Sequence, residues 1–294
     1  MARVDGGQFV RTSLWTATCN VLAFPSVMTS PDLTAPPTSL LSARFASLAA
    51  RNRKALVCYV TAGHPDHTGS RALLRGLATA GADVIEIGVP FSDPMADGPV
   101  IQESSQRALD QGMTLERTLA LVADAALDIP VVLFSYLNPI LAAGPDVLAR
   151  ARDAGVDGVL VTDLPVGADP VRERWFGTSG LDFVRLVAPT TPAARMAEIG
   201  QHGGGFVYLI SRLGVTGERA SLPDDLPDTV ARLRAATTLP LCIGFGISTP
   251  EQARVAAQLG DGVVVGSAIV RAAGQSVEAA LALTASLRDA LDSP

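Results

Sequence analysis

Lysine is almost missing from this sequence: Lys54 stands alone among 294 residues. A reaction that runs through a Schiff base on a protein lysine, pyridoxal chemistry included, therefore has one candidate residue. Histidine is nearly as scarce. His64, His67 and His202 form no HxxxH pair, and Cys19, Cys58 and Cys242 form no CxxC pair, so zinc-type spacing is absent and no metal is expected. An odd, scattered set of cysteines reads as free thiols in a reducing cytoplasm. No apolar run approaches the roughly 18 residues of a membrane helix. There is no run of Lys or Arg either, and a net charge of −6 argues against a general nucleic-acid binder.

What is present is an apolar fraction of 48%, with glycine and proline spread through the chain, which suits a globular protein and not a disordered one. Residues 1–37 differ from the rest. They mix Gly, Ser, Thr and Pro, end in Thr34-Ala35-Pro36-Pro37, and read as a flexible leader. A signal peptide around Leu14–Phe24 is opposed by Asn20 and by a poor cleavage pattern.

From residue 38 onward the pattern is regular. Thr38 and Ser39 can cap a helix carrying Leu40, Leu41, Phe45 and Leu48. Eight β-rich runs follow: Leu56–Thr61, Val84–Gly88, Val131–Ser135, Gly158–Thr162, Phe183–Ala188, Phe206–Ile210, Leu241–Gly244 and Val263–Gly266. Helical punctuation separates them, with a capping box at Thr249-Pro250-Glu251-Gln252, a second cap and proline at Thr191-Pro192, and Ser276 before a final helix. Strands apolar on both faces and alternating with helices imply a parallel sheet covered by helices. Eight such units favour an α/β fold of the (β/α)8 TIM-barrel type over an open sheet. Residues 38–294 form it as a single domain, with the N-terminal helix closing the barrel bottom.

In such barrels ligands sit at the C-terminal ends of the strands, and phosphate commonly sits after strands 7 and 8. Strand 7 ends in Gly244-Phe245-Gly246 and strand 8 in Gly266-Ser267, while Gly214-Val215-Thr216-Gly217 follows strand 6. Three glycine loops in a row point to phosphate held on backbone N–H groups, with Gly217, Gly246, Gly266 and Ser267 as the residues. Arg212–Pro223, glycine-hinged and long, reads as a lid. His202-Gly203-Gly204-Gly205 lacks an accompanying GxSxG elbow and reads as a plain loop.

Glu86 lies inside the second strand. Alternation puts Ile85 and Ile87 toward the helices and Glu86 into the barrel near its mouth, where a carboxylate is costly unless paired or functional. Asp97 follows in the proline-stiffened loop Pro90–Pro99, in which Asp93 and Asp97 have two further readings, Mg²⁺ ligation and capping of the helix near Pro99. Lys54 precedes the first strand and so lies at the opposite end, which leaves acid–base catalysis by carboxylates.

The segments Val60–Gly63, Glu86–Pro94, Ala96–Pro99, Tyr208–Arg212, Gly214–Gly217, Gly244–Ile247 and Gly266–Val270 closely resemble the tryptophan synthase α-subunit family, in order along the chain. The resemblance implies cleavage of indole-3-glycerol phosphate to indole and glyceraldehyde 3-phosphate. It implies no cofactor in this chain, pyridoxal phosphate only in a partner β subunit, and an α2β2 complex. Glu86 falls at the family's acid–base carboxylate, Asp97 at the aspartate that bonds the indole N–H, and Tyr208 at a tyrosine near the glutamate. For the flat indole that the resemblance implies, Phe134, Tyr136 and Phe245 are candidate walls, or core. Two departures stand out: Cys58 replaces a usual proline and His64 a usual aspartate. A free-standing lyase, a related isomerase barrel and a non-catalytic activating subunit are the competing readings.

Overall fold

Because the strands are apolar on both faces, they are buried on both sides. The computed structural model describes residues 39–210, 224–244 and 246–293; the predicted leader lies outside the described residues. Eight parallel strands run β1 (Ala55–Thr61), β2 (Val84–Gly88), β3 (Val131–Ser135), β4 (Gly158–Val161), β5 (Asp182–Val187), β6 (Val207–Ile210), β7 (Leu241–Gly244) and β8 (Gly262–Val265). Each pairs with the next, and β8 returns to β1, so the sheet closes into a barrel. Every strand bound falls within one residue of its expected place. Thr38–Pro294 forms one compact unit.

Alternation sorts the side chains. Val57, Val84, Val132, Leu160, Val184 and Val264 fill the barrel interior. Leu56, Ile85, Ile87, Leu133 and Val159 face the helical layer. Helix α1 (Leu40–Ala50) starts at Ser39, whose hydroxyl accepts from the Ser42 N–H, and sends Leu41, Phe45 and Leu48 into the interior cluster. This plugs the bottom. Gly205 has φ of +70°, and a Cβ there would fall 2.4 Å from a Leu41 methyl, so the Gly203–Gly205 loop is shaped by close packing against α1.

The last helix is tied to the same end. Arg288, in α12 (Val277–Asp292), donates to the Asp83 carboxylate at 3.0 Å, and Asp83 also accepts from the Leu56 N–H at 3.0 Å. Arg288 also pairs with Asp292, and Arg53 stands 3.9 Å from Asp83, so the buried pair belongs to a small network that ties α12 to the foot of β1 and β2.

Ser276 caps α12 as expected, and Thr249 with Gln252 completes the capping box of α10 (Pro250–Leu259). Two caps differ. Pro192 occupies the N-cap of α8 (Ala193–Gln201), one residue earlier than the favoured first helical position, because the Thr191 hydroxyl turns back to accept from the Ala188 N–H. Gly98, without a side chain, occupies the N-cap of α3 (Pro99–Asp110), so Asp97 does not cap that helix. No described helix is long and apolar enough to cross a membrane.

Candidate functional site

Glu86 projects from β2 on the face it shares with Val84, toward the mouth of the barrel. It is fully buried, and neither carboxyl oxygen has a hydrogen-bond partner. Burial alone pushes its pKa up to about 8, so the side chain is protonated at neutral pH. An ionisable group left unpaired at the end of a closed strand layer costs stability, and such groups cluster where chemistry is done.

Register places Tyr59 of β1 and Val132 of β3 beside Glu86. Tyr59 is buried, and its ring meets Phe134 edge-on with centroids 5.1 Å apart. A Cβ on Gly88 would lie 2.1 Å from the Tyr59 hydroxyl oxygen, so only glycine leaves room for that ring. Tyr208 is seated in the same way over Gly244, where a Cβ would come within 2.4 Å of the ring. Both phenols have pKa values raised by burial first of all, with the Glu86 charge contributing to each. Glu86, Tyr59, Tyr208 and Phe134 thus share one region. The sequence reading does not single out Tyr59. Its signal was available, since Ala55, Val57 and Tyr59 alternate onto one face and a tyrosine at the mouth end puts a hydroxyl into the barrel.

Asp97 is buried in the loop after β2. Tyr136, just beyond β3, donates its hydroxyl hydrogen to the Asp97 carboxylate at 3.1 Å and accepts from the Ala96 N–H at 2.8 Å. Its ring packs against Phe91, centroids 5.1 Å apart. Tyr136 is therefore more than an apolar wall: it holds the loop. Burial raises the Asp97 pKa to about 6, and the bond from Tyr136 opposes the rise. The two carboxyls are driven apart, one protonated and one ionised near pH 7, a division that suits an acid working beside a stabilising carboxylate.

Gly246 has φ of +83°, a conformation that favours glycine, and Gly266 is the N-cap of α11 (Ser267–Gln275) with no side chain to cap it. The first N–H groups of α11 are thus available to an anion, with Ser267 in the first turn. Gly217, Phe245 and the expected lid Arg212–Pro223 lie outside the described residues. No cluster of three or more metal-ligating side chains occurs among the described residues, and Asp93 accepts from the Ser92 hydroxyl at 2.6 Å. A cleft of about 660 Å³ on the barrel flank holds Glu173, Arg185 and His202. Within it Arg185 is already engaged by Glu173 and by the Leu164 and His202 carbonyls.

Comparison with known proteins agrees with this geometry. The family model described as tryptophan synthase alpha chain matches residues 45–290. The tryptophan synthase alpha chain of Gluconacetobacter diazotrophicus is 48% identical over 245 residues, covering 82% of this chain and 89% of that protein. The structure of tryptophan synthase subunit alpha from Legionella pneumophila strain Paris superimposes with a TM-score of 0.79 at 36% identity, covering 86% of this chain and 98% of that one. A chain of Mycobacterium tuberculosis tryptophan synthase gives a TM-score of 0.81 at 36% identity, with coverage of 87% and 100%. A matched model over most of the barrel and a relative sharing nearly half of the aligned residues place the protein: it belongs to the tryptophan synthase alpha chain family, whose role is that of a lyase in tryptophan biosynthesis.

Proposed function

We propose that the chain cleaves indole-3-glycerol phosphate to indole and glyceraldehyde 3-phosphate by acid–base chemistry on two carboxyls. The buried Glu86, with both oxygens unpartnered, is the observation that carries this reading. Its carboxylic acid donates a proton to C3 of the indole ring, leaving positive charge on the ring nitrogen. Asp97 accepts the indole N–H and stabilises that charge. The Glu86 carboxylate then removes the proton of the glyceryl hydroxyl next to the ring. The bond between C3 and that carbon breaks, its electrons return to the ring, and indole leaves with an aldehyde as the other product. The proton that Glu86 gives is replaced by the one it takes, so no net proton is consumed.

Tyr59, Phe134 and Tyr208 supply the walls for the flat ring, with Phe245 as a further candidate. Gly246, Gly266 and Ser267, together with Gly217, hold the phosphate. Lys54 takes no part: its ammonium donates to the Gly260 carbonyl at 2.8 Å at the bottom of the barrel. Any pyridoxal phosphate accordingly belongs to a partner β subunit, with which this chain forms an α2β2 complex in the cytoplasm.

Purified full-length chain incubated with indole-3-glycerol phosphate tests the reading. Indole should be released slowly alone and faster with a β subunit present. No indole in either case would reject the lyase assignment, and equal rates in both would favour a free-standing enzyme.

A further inference from the structure

His64 stands where the resembling family usually has aspartate, immediately beyond β1, and it is only 7% exposed. Its Nε2 lies 3.1 Å from the Val270 carbonyl oxygen in α11. A carbonyl can only accept, so Nε2 carries the hydrogen and the ring donates. The opposite nitrogen, Nδ1, is buried without a partner, which also fits a neutral ring. One turn further along α11, a Cβ on Gly274 would sit 3.4 Å from the same Nε2, so the imidazole lies flush against this helix. Glu103 and Arg107 of α3 lie within electrostatic reach of the ring. The backbone N–H of His64 donates to the Thr61 carbonyl at 3.1 Å, and the Thr61 hydroxyl is bonded to Ser104 of α3 at 2.7 Å.

These contacts make a three-way joint between the mouth of β1, the helix that follows the Asp97 loop, and the helix whose N-terminus is assigned to phosphate. We infer that His64 is a positioning residue for phosphate binding, holding α11 so that the N–H groups of its first turn point at the ester. The inference rests on the phosphate site proposed above. An aspartate at this position could not make the bond, because an ionised carboxylate has no hydrogen to give the Val270 carbonyl. The histidine is thus a device of this chain, and its effect should fall on phosphate affinity and not on proton transfer at Glu86.

Three variants separate the possibilities. His64→Leu fills the space without a donor. His64→Gln keeps an N–H at the distance of Nε2. His64→Asn has an amide too short to reach Val270, and serves where the leucine variant fails to fold. Calorimetry with glycerol 3-phosphate as probe is run beside KM, kcat and melting temperature on full-length protein. The Leu and Asn variants, which leave the Val270 carbonyl without its side-chain donor, should bind the probe and substrate about 5–10-fold more weakly, the equivalent of one hydrogen bond, with kcat within about twofold of wild type. Gln should restore most of the affinity. Unchanged affinity in Leu or Asn, with only a lower melting temperature, would make His64 structural and overturn the inference. Equal loss in all three would assign the effect to ring packing and overturn the hydrogen-bond account. Wild-type protein that binds no glycerol 3-phosphate would reject the phosphate site and the inference together, whereas failure of indole release with phosphate binding intact would reject only the lyase reading.

Discussion

The Tyr136 hydroxyl donates to the Asp97 carboxylate at 3.1 Å while accepting from the neighbouring Ala96 N–H at 2.8 Å, so one side chain fixes both the direction and the charge of the loop acid. Burial favours the neutral form of Asp97 and the bond from Tyr136 favours the ionised form. The second effect is what keeps a carboxylate available near neutral pH.

Tyr136→Phe should therefore act through Asp97. With Asp97 required ionised and Glu86 required protonated, kcat/KM should follow a bell-shaped pH profile, with limbs near about 6 and about 8. Loss of the hydroxyl should move the acid limb upward by about 1–2 pH units, as expected for a lost bond to a charged group, and lower kcat/KM at pH 7 by about 2- to 15-fold. The substrate phosphate also titrates at about pH 6, so the shift between wild type and variant is the quantity to measure. An acid limb that stays in place would assign it to the phosphate and detach Tyr136 from the chemistry.

Glu86 should also leave a mark on stability. Its folded pKa of about 8 stands above the ordinary 4.5, so the native state holds a proton that the unfolded state has lost. Stability therefore declines as pH rises from about 4.5 through about 8, and is least affected below 4.5, where both states are protonated. Glu86→Gln removes this cost and should stabilise the protein by an amount on the order of 3 kcal/mol at pH 7. Urea unfolding of both forms at pH 5 and pH 7.5 checks it. A stability difference that does not grow with pH would mean that Glu86 is not held protonated.

The barrel was legible because its strands announce themselves. Val131–Ser135 and Leu241–Gly244 are short apolar runs bounded by turn residues, and burial on both faces removes the polar alternation that would mark an exposed sheet. Glu86 was legible for the converse reason, as a charge interrupting Val84–Gly88 on the inward face. Tyr59 was not, since a tyrosine in a strand reads as one more apolar residue and its neighbourhood with Glu86 depends on the register between β1 and β2. The Tyr136–Asp97 bond spans 39 residues and joins two loops, and the His64–Val270 bond joins opposite ends of the chain. No local pattern encodes either. The caps differed for local reasons: Pro192 moved because Thr191 found a backbone partner, and Asp97 gave up its capping role to stand with Tyr136.

The central claim is that Glu86 transfers the proton. Glu86→Gln retains the shape of the side chain and removes the acid, so single-turnover indole release from indole-3-glycerol phosphate measures that claim directly. Release should fall by roughly 10²–10⁴-fold, while substrate-analogue binding by calorimetry and stimulation of a β subunit persist. Near-normal turnover in a folded Glu86→Gln protein would contradict the account and leave Glu86 a structural residue.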